Sequence, residues 1–174
     1  MSKQKFRTAV FDLDGTLLNT IDDLADAGNW VCQQHGWPVH TRKEYRYMVG
    51  NGIPKLVERF TPAEHRDPET LKQVLAEFSA RYDAHKEDKT AAYPGMVDLI
   101  RRLDEAGIVT AVLSNKADAL AGPVVERYYP GLFTIVQGAL PDLPVKPDPA
   151  VVSAILEALH ADPTTALFVG DSSV

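Results

Sequence analysis

Hydrophobic positions along the chain follow two alternating rhythms. Four short apolar runs, at Ala9 to Phe11, Ile108 to Leu113, Phe133 to Gln137 and Ala166 to Val169, are bounded by turn-forming residues and read as buried strands. Between them the apolar residues recur at helical spacing. Ile21, Leu24, Ala25, Val31 and Cys32 form one stripe, and Leu56, Val57 and Phe60 a second. Leu71, Val74, Leu75, Phe78 and Tyr82 form a third, and Val97, Leu99, Ile100, Leu103 and Ala106 a fourth. A helix reaches to about Tyr128, with a break expected at Gly122-Pro123. Asp148-Pro149 then opens a last helix lined by Val151, Val152, Ile155, Leu156 and Leu159. Strands alternating with crossover helices predict a Rossmann-like parallel α/β sheet with helices on both faces.

One stretch departs from the alternation. From about residue 18 to 88 the chain is helical with no convincing strand, which predicts a small helical cap domain inserted after the first strand. The core domain is then 1–17 with 89–174. Within the insert, Asp22, Asp23 and Asp26 lie in the first turns of a helix, where its dipole favours negative charge, and read as a solvated face. Gly50-Asn51-Gly52 precedes Pro54 in a helix's first turn. It is either a structural turn or a place where backbone N–H groups meet a small anion.

Composition narrows the function. The 174 residues suffice for one core plus a satellite, and 45% hydrophobic with 24% charged residues is ordinary for a globular chain. A net charge of −6 argues against nucleic acid or an anionic membrane as partner. No apolar run reaches the ~20 residues that span a bilayer. Cys32 is the single cysteine, so no internal disulfide forms. With no signal-peptide core at Met1 to Lys5, the expected setting is cytoplasmic. The five histidines are scattered without ligand spacing and receive no role.

Candidate chemistry sits at the strand ends, where open α/β sheets bind ligands. Asp12 and Asp14 follow the first strand, and residues two apart in a strand face one side. Two close carboxylates repel unless a cation relieves them, and Mg²⁺ suits hard oxygen ligands. Ser114 and Asn115 end the second strand, Asp171 follows the last, and Lys146 lies in the loop before the last helix.

In this order, Asp12-Leu13-Asp14-Gly15-Thr16, Ser114, Lys146 and Gly170-Asp171 resemble the four motifs of the haloacid dehalogenase superfamily of phosphohydrolases. Gly50-Asn51-Gly52 and Tyr93-Pro94-Gly95 are most similar to its phosphoglycolate-phosphatase branch. The resemblance implies a Mg²⁺-dependent phosphomonoester hydrolase acting on a small phosphorylated metabolite such as 2-phosphoglycolate. Asp12 is then the nucleophile that forms an aspartyl-phosphate, and Asp14 the general acid and base. Ser114 and Lys146 complete the catalytic set, with Thr16, Asn115 and Gly50-Asn51-Gly52 toward the substrate. The metal falls to Asp12, the Asp14 main-chain carbonyl and Asp171. The second aspartate separates this pattern from the dehalogenases and phosphonatases, while a sugar phosphomutase shares it.

The family's fourth motif carries a further acidic residue a few positions on, and its fold a further strand, whereas this sequence stops at Val174. The expectation is therefore a truncated phosphatase with weakened metal affinity and an exposed sheet edge able to pair with another chain. The competing expectation is a non-catalytic remnant or binding module.

Overall fold

A computed structural model describes residues 5–172. The chain divides into two compact units, Met1–Leu18 with Ala92–Val174, and Asn19–Ala91.

The first unit is built on a parallel sheet of β1 (Thr8–Phe11), β4 (Val109–Ala117), β5 (Ile135–Ala139) and β6 (Ala166–Val169) in the order β5-β4-β1-β6. The side chains alternate between the two faces of the sheet. Ala9, Phe11 and Val112 face one core with Ile100 of α5 (Met96–Glu105) and Ala121, Val124 and Val125 of α6 (Asp118–Tyr128). Val10, Ala111 and Leu113 face the other, with Val151, Ile155 and Leu156 of α7 (Pro149–Ala158). A strand buried on both faces favours apolar residues throughout, which is why residues 9–11 of β1 and 111–113 of β4 read as unbroken apolar runs. β6 is an edge strand, and Leu167 and Phe168 are exposed on it.

The second unit contains α1 (Ile21–Gln34), α2 (Arg42–Met48), α3 (Ile53–Phe60) and α4 (Pro68–His85) around a core of its own. An aromatic ladder runs through it: Tyr45, Phe60, Phe78 and Tyr82 follow one another with centroids 6.4, 5.8 and 5.8 Å apart, the first two pairs tilted and the last stacked. Thr41 and Glu44 form a capping box at α2, and Asp67 caps α4 ahead of Pro68. The chain leaves the sheet through β2 (Leu18–Asn19) and returns through β3 (Ala91–Ala92), which pair as a two-stranded ribbon. Among the described residues no helix is long and apolar enough to cross a membrane.

Four expectations are corrected. The third strand is Ile135–Ala139 rather than 133–137, because Phe133 is spent packing edge-on against Phe11 and Tyr129. α6 runs through Pro123 without a break. Proline removes one i→i−4 bond, but Ala121, Val124 and Val125 are buried around it and hold the turn. Leu18–Asn19 is a short strand within the stretch read as purely helical. Asp23 is not on a solvated face. It is 2% exposed and accepts hydrogen bonds from the Lys89 and Thr90 N–H groups at 2.9 and 2.8 Å, tying the end of the insert to its first helix. Asp22 and Asp26 do stand nearer solvent, ion-paired with Arg42 and Lys89.

Leu17, next to the chain's exit from the sheet unit, is fixed by Tyr129. The buried phenol donates to the Leu17 carbonyl at 2.7 Å, and burial pushes its pKa up to about 12. Tyr129→Phe removes that bond and keeps the ring. We expect a loss of about 1 kcal/mol in denaturant-unfolding free energy, the usual net worth of a neutral hydrogen bond.

Candidate active site

Strand register determines which residues meet. Phe11 pairs with Val112 on one side and with Val169 on the other. Asp12 and Asp171, just past their strands, and Ser114, two residues past Val112 within β4, therefore lie toward the same edge of the sheet. The Asp12 N–H still donates to the Val169 carbonyl at 2.8 Å, carrying the alignment one residue past β1. β4 continues through Ser114, Asn115 and Lys116 to Ala117, after an irregularity that begins at Leu113. That irregular end lets polar residues occupy buried positions that a regular strand would fill with apolar ones.

Asp12 is 8% exposed. Its carboxylate accepts the Leu13 N–H at 2.7 Å, and Lys146 Nζ stands 2.8 Å away. The Lys146 contact is one of charge more than of hydrogen-bond alignment. Burial raises the Asp12 pKa above the ordinary carboxylate range; the Lys146 ammonium and the Leu13 bond oppose the rise, and the Asp14 charge adds to it. Lys146 is itself buried, with its ammonium 5.4 Å from the centre of the Phe168 ring. Asn115 positions it: the side-chain amide donates to the Lys146 carbonyl and accepts from the Lys146 N–H, both at 2.9 Å. The lysine loop is thus clipped to the end of β4.

Asp14 turns to a different cation. Lys116 Nζ lies 3.3 and 3.5 Å from its two carboxylate oxygens. Each of the two carboxylates thus stands beside a lysine ammonium. β1 ends at Phe11 and the chain turns at Gly15, whose N–H donates to the Leu18 carbonyl. Lys116 was not singled out from the sequence. The available signal was a lysine directly after two polar residues at the end of an apolar strand.

Asp171 folds back over the turn. A Cβ on Gly15 would stand 2.3 Å from an Asp171 carboxylate oxygen, and Gly15 has φ +86°, so only glycine fits there. The Thr16 hydroxyl donates to the same carboxylate at 3.4 Å, so Thr16 is engaged with Asp171. Ser114 is buried, and its Oγ accepts the Lys116 N–H at 3.1 Å; the N-cap of α6 is Ala117, so Ser114 is not a helix cap. Gly50, Asn51 and Gly52 belong to the other unit. Gly50 and Gly52 have φ of 106° and 82°, Gly52 is the N-cap of α3, and the Asn51 side chain accepts from Arg59 at 2.8 Å.

Among the described residues no group of three His, Cys, Asp or Glu side chains converges as a metal cage. The donors at the sheet edge are two carboxylates, Asp12 and Asp171, with main-chain carbonyls beside them. That set fits Mg²⁺, which takes one or two protein carboxylates and keeps several waters.

Two outcomes follow for the metal-free protein. Asp12 titrates above the ordinary carboxylate range, and Lys146→Met raises it further because the opposing ammonium is gone. The folded chain then holds the Asp12 proton more tightly than the unfolded chain does. This group's contribution to stability is present below the unfolded pKa and is lost as pH rises through the folded value. Carboxyl-carbon NMR titration of both proteins measures the shift, and an Asp12 resonance that titrates as in the unfolded chain contradicts it. Separately, Gly15→Ala forces Asp171 off the turn, and we expect Mg²⁺ affinity measured by calorimetry to fall about 10-fold or more.

Comparison with known proteins places the chain. The family model described as haloacid dehalogenase-like hydrolase matches residues 6–174. The chain is 35% identical over 173 residues to a phosphoglycolate phosphatase of Pseudomonas putida, covering 95% of this chain and 62% of that protein. It is 32% identical over 170 residues to a phosphoglycolate phosphatase of Cereibacter sphaeroides, covering 95% and 76%. The crystal structure of a predicted phosphoglycolate phosphatase from Haemophilus somnus superposes with a TM-score of 0.88 at 27% identity, over 98% of this chain and 79% of that one. The chain thus spans about 62% of the length of the first of these curated relatives. On the family match across almost its whole length, the chain belongs to the haloacid dehalogenase-like hydrolases.

Proposed function

We propose that the chain carries the active site of a Mg²⁺-dependent phosphomonoester hydrolase that works through an aspartyl-phosphate on Asp12, with 2-phosphoglycolate as substrate. The observation that carries this reading is the pairing of a buried carboxylate, Asp12, with a buried ammonium, Lys146, 2.8 Å away at the carboxyl end of the central strand. Burying a charge pair is costly and is often no gain in stability over apolar packing, so such a pair at a ligand-binding edge points to chemistry.

Each residue has a task its surroundings support. Asp12 attacks phosphorus, the ester oxygen departs, and hydrolysis divides into two easier steps. Asp14, less buried than Asp12, gives the departing oxygen its proton and then takes one from the attacking water. Lys146 screens the repulsion between the Asp12 carboxylate and the phosphoryl oxygens, and the Ser114 hydroxyl donates to one of those oxygens. Mg²⁺, held by Asp12, the Asp14 main-chain carbonyl and Asp171, would supply further positive charge where negative charge gathers. Asn115 acts by holding Lys146 in place. Gly50-Asn51-Gly52 is assigned to substrate binding on the family resemblance. The substrate follows the names of the relatives from Pseudomonas and Cereibacter.

The test is phosphate release from 2-phosphoglycolate and from an aryl phosphate, with Mg²⁺ and with chelator. We expect metal-dependent turnover that Asp12→Asn abolishes, with Asp12→Asn folded by circular dichroism. Equal rates in the two proteins would remove Asp12 as nucleophile, and no turnover by folded wild-type chain would favour a binding role.

A further inference from the structure

Lys116 is the feature of the sheet edge that the phosphoryl chemistry leaves without a task. Lysine is almost never fully buried, yet this unit buries two at one edge, Lys146 at 4% and Lys116 at 7% exposed. Each meets a different carboxylate. Lys146 stands on Asp12, the atom donor to phosphorus, and Lys116 stands on Asp14, the group that meets the departing oxygen. With the roles proposed for Asp12 and Asp14, one ammonium serves the phosphoryl side of the scissile bond and the other the alcohol side.

The position of Lys116 is firmly built. Its N–H donates to Ser114 Oγ at 3.1 Å, and the next residue, Ala117, pairs with Ala139 of β5. Gly138 packs backbone to backbone against it: a Cβ there would lie 2.6 Å from the Lys116 carbonyl oxygen. The Gly138 N–H also donates to the Asp118 carboxylate at 2.9 Å. A long, flexible side chain is thereby launched from a fixed backbone, which lowers the entropic cost of placing its ammonium.

Charge explains why it is needed. Asp12, Asp14 and Asp171 outnumber the two lysines, and a divalent cation and a phosphate dianion brought together leave the edge still negative. An ester whose alcohol part carries its own carboxylate adds one more negative charge, next to Asp14. An ammonium has three N–H donors in rotatable geometry, so Lys116 can hold the Asp14 carboxylate and a second carboxylate at once. In 2-phosphoglycolate that carboxylate is one carbon from the ester oxygen, on the side where Lys116 stands. We propose that Lys116, paired with Asp14 at 3.3 Å, is a specificity-determining residue that binds the leaving group's carboxylate and so selects phosphate esters of small hydroxy acids. This rests on the phosphomonoesterase reading above.

Ethyl phosphate is the matched probe, since it has the same ester oxygen and carbon count as 2-phosphoglycolate without the carboxylate. The readout is the ratio of kcat/KM for the two esters, in wild type, Lys116→Met and Lys116→Arg, with Mg²⁺. A ratio cancels any loss that both esters suffer from a disturbed Asp14. We expect Lys116→Met to lower the preference for 2-phosphoglycolate by about 10- to 100-fold, the range for one charged hydrogen bond, and Lys116→Arg to retain most of it. An unchanged ratio in Lys116→Met overturns the proposal and leaves Lys116 as a positioning residue for Asp14. If wild type turns over neither ester, the hydrolase reading fails, and calorimetric binding of the two compounds decides the present one. A wild-type preference for 2-phosphoglycolate that Lys116→Met loses upholds it; no preference overturns it.

Discussion

The structure of the sheet unit depends on one constraint: charged groups have been placed where solvent cannot attend to them. Asp12 is 8% exposed at the end of a strand buried on both faces, and its carboxylate is held by one backbone N–H and one ammonium. An unpaired carboxylate there would be driven to its neutral form. Lys146 reduces that tendency and is in turn made tolerable by Asp12, by the face of Phe168 and by the Asn115 clip on its backbone. Neither member could be buried alone. The pair also accounts for the loop before α7, whose course delivers a lysine to a carboxylate far from it in sequence.

The surrounding fold supplies the rigidity this arrangement needs. Parallel pairing of β1 with both β4 and β6 brings Phe11, Val112 and Val169 level, and two separate apolar cores clamp the sheet from either face. Packed interiors resist displacement, so polar residues leaving such strands keep their mutual positions. The helical unit has its own core, with Tyr45, Phe60, Phe78 and Tyr82 at its centre, and draws no buried residue from the sheet. Its hydrophobic core is therefore separate from the two that clamp the sheet.

Much of this was legible in the sequence because the signals were local. β1, α1, α3, α4, α5, α7 and β6 announce themselves by periodicity and by caps such as Asp148-Pro149. Asp12, Ser114, Lys146 and Asp171 could be picked out because they stand at strand ends or in an ordered motif, and the structure places Asp12, Ser114 and Asp171 at one edge with Lys146 joined to Asp12. What escaped was set by tertiary contact. Asp23 has the composition of a solvated helix start, and only the return of Lys89 and Thr90 to its carboxylate makes it buried. Pro123 carries a helix-breaking signal that neighbouring core contacts overrule. Lys116 was given no role, because only the irregular end of β4 brings it beside Asp14.

The distribution of the two lysines bears on what kind of catalyst this edge can be. Had both ammoniums converged on Asp12, the site would be a phosphate clamp with little interest in the alcohol. Had Asp14 been left to solvent, its charge would be screened and any discrimination among alcohols would fall to residues elsewhere. Instead each carboxylate has its own cation, at 2.8 Å for Asp12 and 3.3 Å for Asp14, and the second pair is the less buried of the two. Lys116 is buried, so its ammonium needs a counter-charge whatever else it does, and Asp14 supplies one. On the proposal above, the same ammonium also meets a carboxylate of the leaving group.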